Sequence, residues 1–276
     1  CYCCGKDVFK LYDNMFITHD SLYYTLDSCK GTSGDCYSLA LTAQHMFINV
    51  KIEYIVIGQL CHFQEIVHRL VRYSKDFLFV RREGADNIIN AMKTLLRDKL
   101  PGYVQADVHD IQILTPSRKS NVGVERLNKI MQDFLNPKDG LKQERQVSDT
   151  IFREGDKVMQ IKNDYQLAWE KRSKYGIPVE QGMGVFNGDT GIIERISTFD
   201  ENVTVRFEDG RMVNYEFSQL EELELAYAIT VHKSQGSEYP AVIIPMAQGP
   251  RMLMNRNILY TAVTRAKKCV TILGSS

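Results

Sequence analysis

Apolar and polar positions follow two different rhythms along this chain, and residues 1–73 follow neither. Asp76 to Val80 reads as a strand. From Asp86 to Leu100, Ile88, Met92, Leu95 and Leu96 fall on one helical face, and Pro101-Gly102 predicts the stop. Asp110 to Thr115 is strand-like, and Asn121 is placed to cap a helix carrying Leu127, Ile130, Met131 and Phe134, ended by Pro137. Strands alternating with helices predict a parallel sheet covered on both faces. From about Phe152 to Leu223 the strands are short: Asp156 to Lys162, Gly188 to Ile196, and Asn202 to Phe207. The Asp209-Gly210 turn then leads into a return strand alternating Val213, Tyr215 and Phe217. This pattern predicts a small antiparallel β-barrel inserted into the parallel fold. Leu225 to Val231 is nearly continuously apolar, as a buried parallel strand should be. The strand Ala241 to Pro245, a helix over Asn255 to Ala266 and the strand Cys269 to Leu273 complete the pattern.

The expected fold class is therefore α/β, with four segments. Residues 1–73 are unassigned, 74–151 form the first part of the parallel fold, 152–224 the barrel, and 225–276 the rest. Composition marks the first boundary: six of the seven Cys and four of the six His precede residue 74. Within that segment, Leu39 to Val50 reads as a helix and Ile52 to Gly58 as a strand. Neither Cys1, Cys3 and Cys4 nor Cys61, His62 and His68 has the spacing of a metal site, so no metal is expected. The odd number of Cys, without a regular framework, points to a reducing, cytoplasmic setting. No apolar run reaches the roughly 20 residues that span a bilayer, so no membrane partner is expected.

Charge sharpens the picture only locally. The chain has 34 basic and 34 acidic side chains. From Leu225 onward there are six Lys or Arg against Glu238 alone, whereas Glu201 to Glu224 holds seven acidic residues. A basic C-terminal part therefore follows an acidic neighbour. Within the basic part, the strand ending in Thr230 delivers the polar turn His232-Lys233-Ser234-Gln235-Gly236-Ser237-Glu238. Thr230, His232, Lys233 and Ser234 carry donors suited to phosphate oxygens, and Gly236 permits close backbone approach. Glu238 has an acceptor suited to a ribose hydroxyl. A solvated loop is the plainer alternative for this turn. On the last helix, Leu259, Ala262, Val263 and Ala266 form one face, with Arg265 on its flank. A third strand ends in Thr115-Pro116-Ser117-Arg118. Arg118 and Arg265 are expected at one shared edge of the sheet, where two guanidinium groups suit a phosphoryl-transfer site. Trp169, Lys171, Arg172, Lys174 and Tyr175 mix rings with positive charge on what reads as a long, solvated connection.

Taken together, Thr115 to Arg118, Thr230 to Glu238 and Tyr260 to Ala266 resemble motifs IV, V and VI of superfamily 1 helicases, in order. Gly155-Asp156-Lys157-Val158-Met159-Gln160 and Val185-Phe186-Asn187-Gly188-Asp189-Thr190-Gly191 resemble the Src-homology-3-like insert of the RecD-like branch. The resemblance covers about residues 74–276. It implies a RecA-like second motor lobe that works with ATP and Mg2+ held largely by a first, N-terminal lobe, and 5′-to-3′ movement on single-stranded DNA, in DNA repair or recombination. Arg265 would be the arginine finger and Arg118 a second γ-phosphate contact. Gln235, Gly236 and Glu238 would lie by the nucleotide, and Thr230, His232, Lys233 and Ser234 by the DNA backbone. The sequence departs from the family where Gly-x-x-x-x-Gly-Lys-Ser/Thr is expected: Gly5-Lys6-Asp7 has only the dipeptide, and no Asp-Glu magnesium motif follows. The chain is therefore expected to be the tail of a longer helicase or a remnant with a replaced N-terminus, and inactive by itself. A non-catalytic single-stranded-DNA-binding fragment and the helicase part of a conjugative relaxase are the alternatives.

Overall fold

The computed structural model describes residues 76–247 and 256–274. The expected helix at Leu39, the strand at Ile52 and the Cys and His groups before residue 70 lie outside the described residues. Five parallel strands form one sheet in the order β1-β14-β13-β2-β12. They are β1 (Phe77–Arg81), β2 (Ile111–Thr115), β12 (Ala228–Thr230), β13 (Tyr239–Met246) and β14 (Ala266–Gly274). Every residue of β2 is buried, as a central strand covered on both faces requires. Helices α1 (Ala85–Thr94), α2 (Leu100–Val104) and α3 (Val124–Leu135) lie on connections that step one way across the sheet. The turn Val231–Ser234 and α4 (Arg256–Val263) lie on connections that step back. Right-handed crossovers then put the two groups on opposite faces. The contacts agree: α1 touches α3, and α4 touches the 231–234 turn.

The first helical run does not stop at Pro101. It passes through a π-helical turn at Leu95–Lys99 and continues as α2. Pro101 has no N–H to give an i−4 carbonyl, and a wider turn just before it accommodates that loss without ending the helix. Helix α3 likewise begins at Gly123 rather than at Asn121. A Cβ on Gly123 would lie 2.5 Å from the Arg118 carbonyl oxygen, so the chain is packed too closely there for any side chain.

Seven strands form an antiparallel sheet in the order β11-β5-β8-β9-β10-β6-β7. They are β5 (Lys157–Gln160), β6 (Asp164–Arg172), β7 (Pro178–Val185), β8 (Thr190–Ser197), β9 (Asn202–Phe207), β10 (Met212–Glu216) and β11 (Leu223–Leu225). The Tyr215 hydroxyl on β10 donates to Gln160 Oε1 on β5 at 2.8 Å, three strands away, so the sheet curls around its core. Gly210 takes the positive φ of 85° that the Asp209-Gly210 hairpin needs. Residues 169–175, expected as a long loop, instead form the end of β6 and the turn of the β6–β7 hairpin. The ring of Trp169 lies against Gly182, where a Cβ would come within 2.4 Å of it. A further hairpin, β3 (Glu144–Val147) with β4 (Thr150–Arg153), leads into this sheet.

Leu225 to Val231 is not one strand. Leu223–Leu225 pairs antiparallel with β5, and Ala228–Thr230 pairs parallel with β2. Side chains satisfy the backbone where the chain changes sheets. Gln112 Nε2 donates to the Ala226 and Tyr227 carbonyls at 3.0 and 3.2 Å. Asn128 Nδ2 donates to Leu225 O at 2.7 Å, and its Oδ1 accepts from Ala228 N at 2.7 Å. A buried carboxylate joins the same region. Asp156 accepts from Gln132 (2.5 Å), Asn136 (2.7 Å), the Arg153 backbone N–H (2.7 Å) and the Tyr227 hydroxyl (3.0 Å). Burial raises its pKa, while those four donors act against the rise.

Candidate nucleotide- and DNA-facing site

Arg265 closes the short link between α4 and β14. Its flank position leaves it half-buried while Leu259, Ala262 and Val263 face the core. The guanidinium donates to Ser237 O at 3.2 Å, Thr264 Oγ1 at 3.1 Å and Thr261 O at 3.3 Å. The Arg265 carbonyl accepts from Tyr239 N at 2.8 Å, so the end of the last helix is tied to the start of β13. All these side-chain partners are neutral. Among the described residues no carboxylate lies within ion-pair distance of Arg265, so none of them neutralises its charge.

Gly236 is exposed, with φ of 89°, one residue before the Ser237 carbonyl that Arg265 holds. Among the described residues, a Cβ there would meet nothing within 4 Å. Its glycine is therefore required by the left-handed backbone and not by protein packing, and the space beside it is open. Gln235 and Glu238 are also exposed, and Glu238 pairs with Lys267 at 3.4 Å.

Arg118 lies elsewhere. It follows the C-terminal end of β2, whereas Arg265 precedes the N-terminal end of β14. Ala266 pairs with Tyr239, and Ile113 pairs with Ile243, which sets Thr115 level with Pro245, six residues farther along β13. At about 3.3 Å per residue the two strand ends are ~20 Å apart along the sheet. The expectation of one shared edge is thus corrected. The topology explains it: Arg265 enters its strand from a helix, and Arg118 leaves its strand into one. Gly236 joins the Arg265 end, and Lys233 joins the Arg118 end.

Arg118 is also engaged differently. Its two terminal nitrogens donate to both oxygens of Glu224, at 3.0 and 3.2 Å, and its Nε lies 3.9 Å from Glu125. Glu224 sits on β11 in the antiparallel sheet and also pairs with Lys233 at 3.3 Å. Burial alone would raise the Glu224 pKa, but the hydrogen bonds and charges of Arg118 and Lys233 outweigh it and hold it below the usual range. The same hydrogen bond raises the Arg118 pKa further.

The four residues expected to face DNA divide. His232 is exposed and Lys233 half-buried. Thr230 caps the 3-10 turn, its Oγ1 accepting from Lys233 N at 3.4 Å. Ser234 does not face outward. It is fully buried and donates to Val231 O at 2.7 Å, closing the turn. Glu224 is a site residue that sequence reading missed, since its partner Arg118 is 106 residues away. The one available signal was the acidic run ending at Glu224 immediately before the basic part.

With this geometry in place, the comparisons with known proteins are specific. Residues 127–207 match the SH3 domain of ATP-dependent RecD-like DNA helicases, and residues 225–273 match the UvrD-like helicase C-terminal domain. The two matches make these parts of the chain similar to RecD-like and UvrD-like DNA helicases. Among relatives, the ATP-dependent RecD2 DNA helicase of Deinococcus radiodurans is 33% identical over 166 residues, 60% of this chain and 20% of that protein. The RecBCD enzyme subunit RecD of Mycobacterium tuberculosis is 30% identical over 170 residues, 62% of this chain and 26% of that protein. The chain therefore spans about a quarter or less of these helicases. A Bacteroides Pif1 helicase in complex with ADP-AlF3 and single-stranded DNA aligns with a TM-score of 0.41 at 19% identity, covering 78% of this chain and 48% of that one. Among the described residues, no helix is long and apolar enough to cross a membrane.

Proposed function

We propose that residues 76–274 are the second motor lobe of an ATP-dependent DNA helicase, with the antiparallel sheet as its insert. In this reading ATP and Mg2+ are held chiefly by a first lobe, and Arg265 reaches across to the γ-phosphate as the arginine finger. The observation that carries the reading is the Arg265 guanidinium, positioned by three neutral oxygens and, among the described residues, left without a counter-charge beside the open backbone of Gly236. A finger needs that state: oriented, partly desolvated and not already neutralised. Gln235, Gly236 and Glu238 would lie along the nucleotide. Arg118 lies at the other end of the sheet from Arg265 and shares Glu224 with Lys233, so it would join Lys233 on the DNA side rather than reach the same phosphate. Thr230, His232 and Lys233 would hold the backbone of single-stranded DNA, with 5′-to-3′ movement and a repair or recombination role by family resemblance.

The test uses the 276-residue chain itself. It should bind a fluorescein-labelled dT15 oligonucleotide with strongly salt-dependent affinity, and hydrolyse no ATP with or without DNA. Lys233→Met should make the plot of log affinity against log salt shallower by about 0.7, the loss of one phosphate contact on a single strand. ATP hydrolysis by the chain alone would contradict the division of labour between lobes. Salt-independent binding, or none, would contradict the DNA-facing turn.

A further inference from the structure

Lys157 belongs to the inserted antiparallel sheet, yet its side chain reaches the parallel one. On β5 it pairs with Ile192 of β8, and its carbonyl accepts from Ala226 N at 2.8 Å. Its Nζ donates to the His109 carbonyl and, at 2.9 Å, to Gln112 Oε1, where β2 begins. The same ammonium lies 5.8 Å from the centre of the Tyr239 ring, within cation–π range. Tyr239 is the first residue of β13 and is 4% exposed. It meets the insert with its ring and Arg265 with its backbone, since Tyr239 N donates to the Arg265 carbonyl at 2.8 Å.

The regular ladder does not fix that contact. Tyr239 pairs with Ala266 and Ala241 with Cys269, so two steps along β13 face three along β14. Pro240, between them, has no N–H to give. The slip falls immediately after Arg265, and a bulge in such a place re-aims the side chains beside it. The Tyr239 ring, buried on Lys157, supplies a support that the ladder does not. Electrostatics agree: burial raises the Tyr239 pKa, Glu208 of the insert adds to the rise, and Arg265 opposes it, so the ring lies in the fields of both.

We propose that Tyr239 is a positioning residue through which the insert orients the Arg265 finger. With Lys157 under the ring, the start of β13 holds the Arg265 carbonyl, next to the Ser237 carbonyl that anchors the guanidinium. Turnover then depends on the insert through one buried contact. The inference rests on the reading above that Arg265 is the finger.

The experiment uses an intact helicase carrying this chain, with kcat and KM for ATP measured separately in the presence of DNA. Tyr239→Leu keeps the backbone and removes the ring. It should lower kcat about 10-fold while KM stays within ~2-fold, because a misaimed finger fails at the transition state. Binding gives a second readout: the same variant should weaken the complex with ADP and aluminium fluoride about 10-fold and leave ADP affinity within ~2-fold. Tyr239→Phe keeps the ring over Lys157 and should retain kcat within ~2-fold. Lys157→Met should lower kcat about 3-fold by itself and change nothing beside Tyr239→Leu, since the two act through one contact.

The pH profile supplies a readout that a merely structural role would not move. Burial lowers the Lys157 pKa to about 8, against Glu208, Asp110 and Asp107, which favour its charged form. His109, its pKa lowered by burial, and Tyr239, its pKa pushed up to about 12, both stay neutral there. The ratio of wild-type to Lys157→Met kcat should therefore fall from about 3 toward unity as pH rises from ~7 to ~9. If Tyr239→Leu melts early, this ratio carries the test. Unchanged kcat in Tyr239→Leu, a Lys157→Met loss of equal size in both backgrounds, or a ratio that ignores pH overturns the proposal and leaves Arg265 as the finger. Undiminished kcat in Arg265→Ala defeats the finger reading first.

Discussion

Arg265 is held by three neutral oxygens, whereas Arg118 is gripped by Glu224 with Glu125 close by. The two guanidinium groups flank strands of one sheet and both sit at strand–helix junctions, yet their electrostatic settings are opposite. At the Arg265 end the protein spends hydrogen bonds on orientation and leaves the charge available. At the Arg118 end it neutralises the charge with the Glu224 carboxylate. The difference teaches that an arginine in a motif is not yet an active arginine: what it pairs with decides whether it is poised or stored.

The largest effect expected from this contrast is on turnover. In an intact helicase carrying this chain, Arg265→Ala should lower DNA-stimulated ATP turnover by ~10³, the lower bound for a finger. Arg118→Ala should cost ~10-fold at most, because Arg118 lies at the other end of the sheet and is already paired with Glu224. Steady-state hydrolysis assays give both numbers, and equal losses would erase the asymmetry.

A second test asks whether the two ends share a support. Asp156 binds four donors from α3, the β4–β5 junction and Tyr227, just ahead of the strand that leads to both sites. Asp156→Ala should destabilise the fold by about 3 kcal/mol, read from the denaturant midpoint, since several buried donors lose their acceptor. Oligonucleotide binding measured well below that midpoint should be almost unchanged. Selective damage at one end would mean that Asp156 serves one arginine and not both.

Lys157 sharpens the comparison from the other sheet. It is buried, donates to the His109 carbonyl and to Gln112 Oε1, and has no ion pair among the described residues. Burial lowers its pKa from 10.5 to about 8. The folded chain therefore releases this proton near pH 8 while the unfolded chain keeps it to about 10.5, so the unfolded state binds more protons between those values. Stability should rise with pH across that window, by about 2–3 kcal/mol from this group. In Lys157→Met the rise should flatten, as read from urea midpoints between pH 7.5 and 10. Lys157 thus meets charge with desolvation, where Arg118 meets it with a carboxylate.

The smallest effect concerns Gly236. Replacing it by Ala puts a side chain at φ of 89°, which costs about 1 kcal/mol in stability and shifts the melting temperature by a few degrees. No atom of the described residues obstructs the new methyl, so any larger loss of nucleotide affinity would report a ligand lying against the backbone there.

Much of this architecture was legible because local pattern and tertiary role agree. β9, the Asp209-Gly210 turn and β10 follow from strict alternation, and the buried face of α4 follows from helical spacing. The features that were not legible depend on partners distant in sequence. Leu225 to Val231 is apolar throughout, but Gln112 and Asn128 let it change sheets in the middle. Pro101 is a stop signal that a π turn overrides. The residues around Trp169 form a hairpin because Gly182 makes room for the ring. Ser234 carries a hydroxyl suited to phosphate, yet it serves its own turn. The family motifs identified both arginines, but only the fold separates them by the length of a strand and gives one of them a carboxylate.

The central claim is that Arg265 is reserved for the transferring phosphoryl group. The most direct measurement is the affinity of an intact helicase carrying this chain for ADP alone and for ADP with aluminium fluoride, which mimics that group in flight, comparing wild type with Arg265→Lys. The account predicts that Arg265→Lys weakens the aluminium fluoride complex by at least ~100-fold while ADP affinity stays within ~3-fold, because a finger acts on the transition state and not on the ground state. Parallel losses for both ligands, or no loss for either, would contradict it.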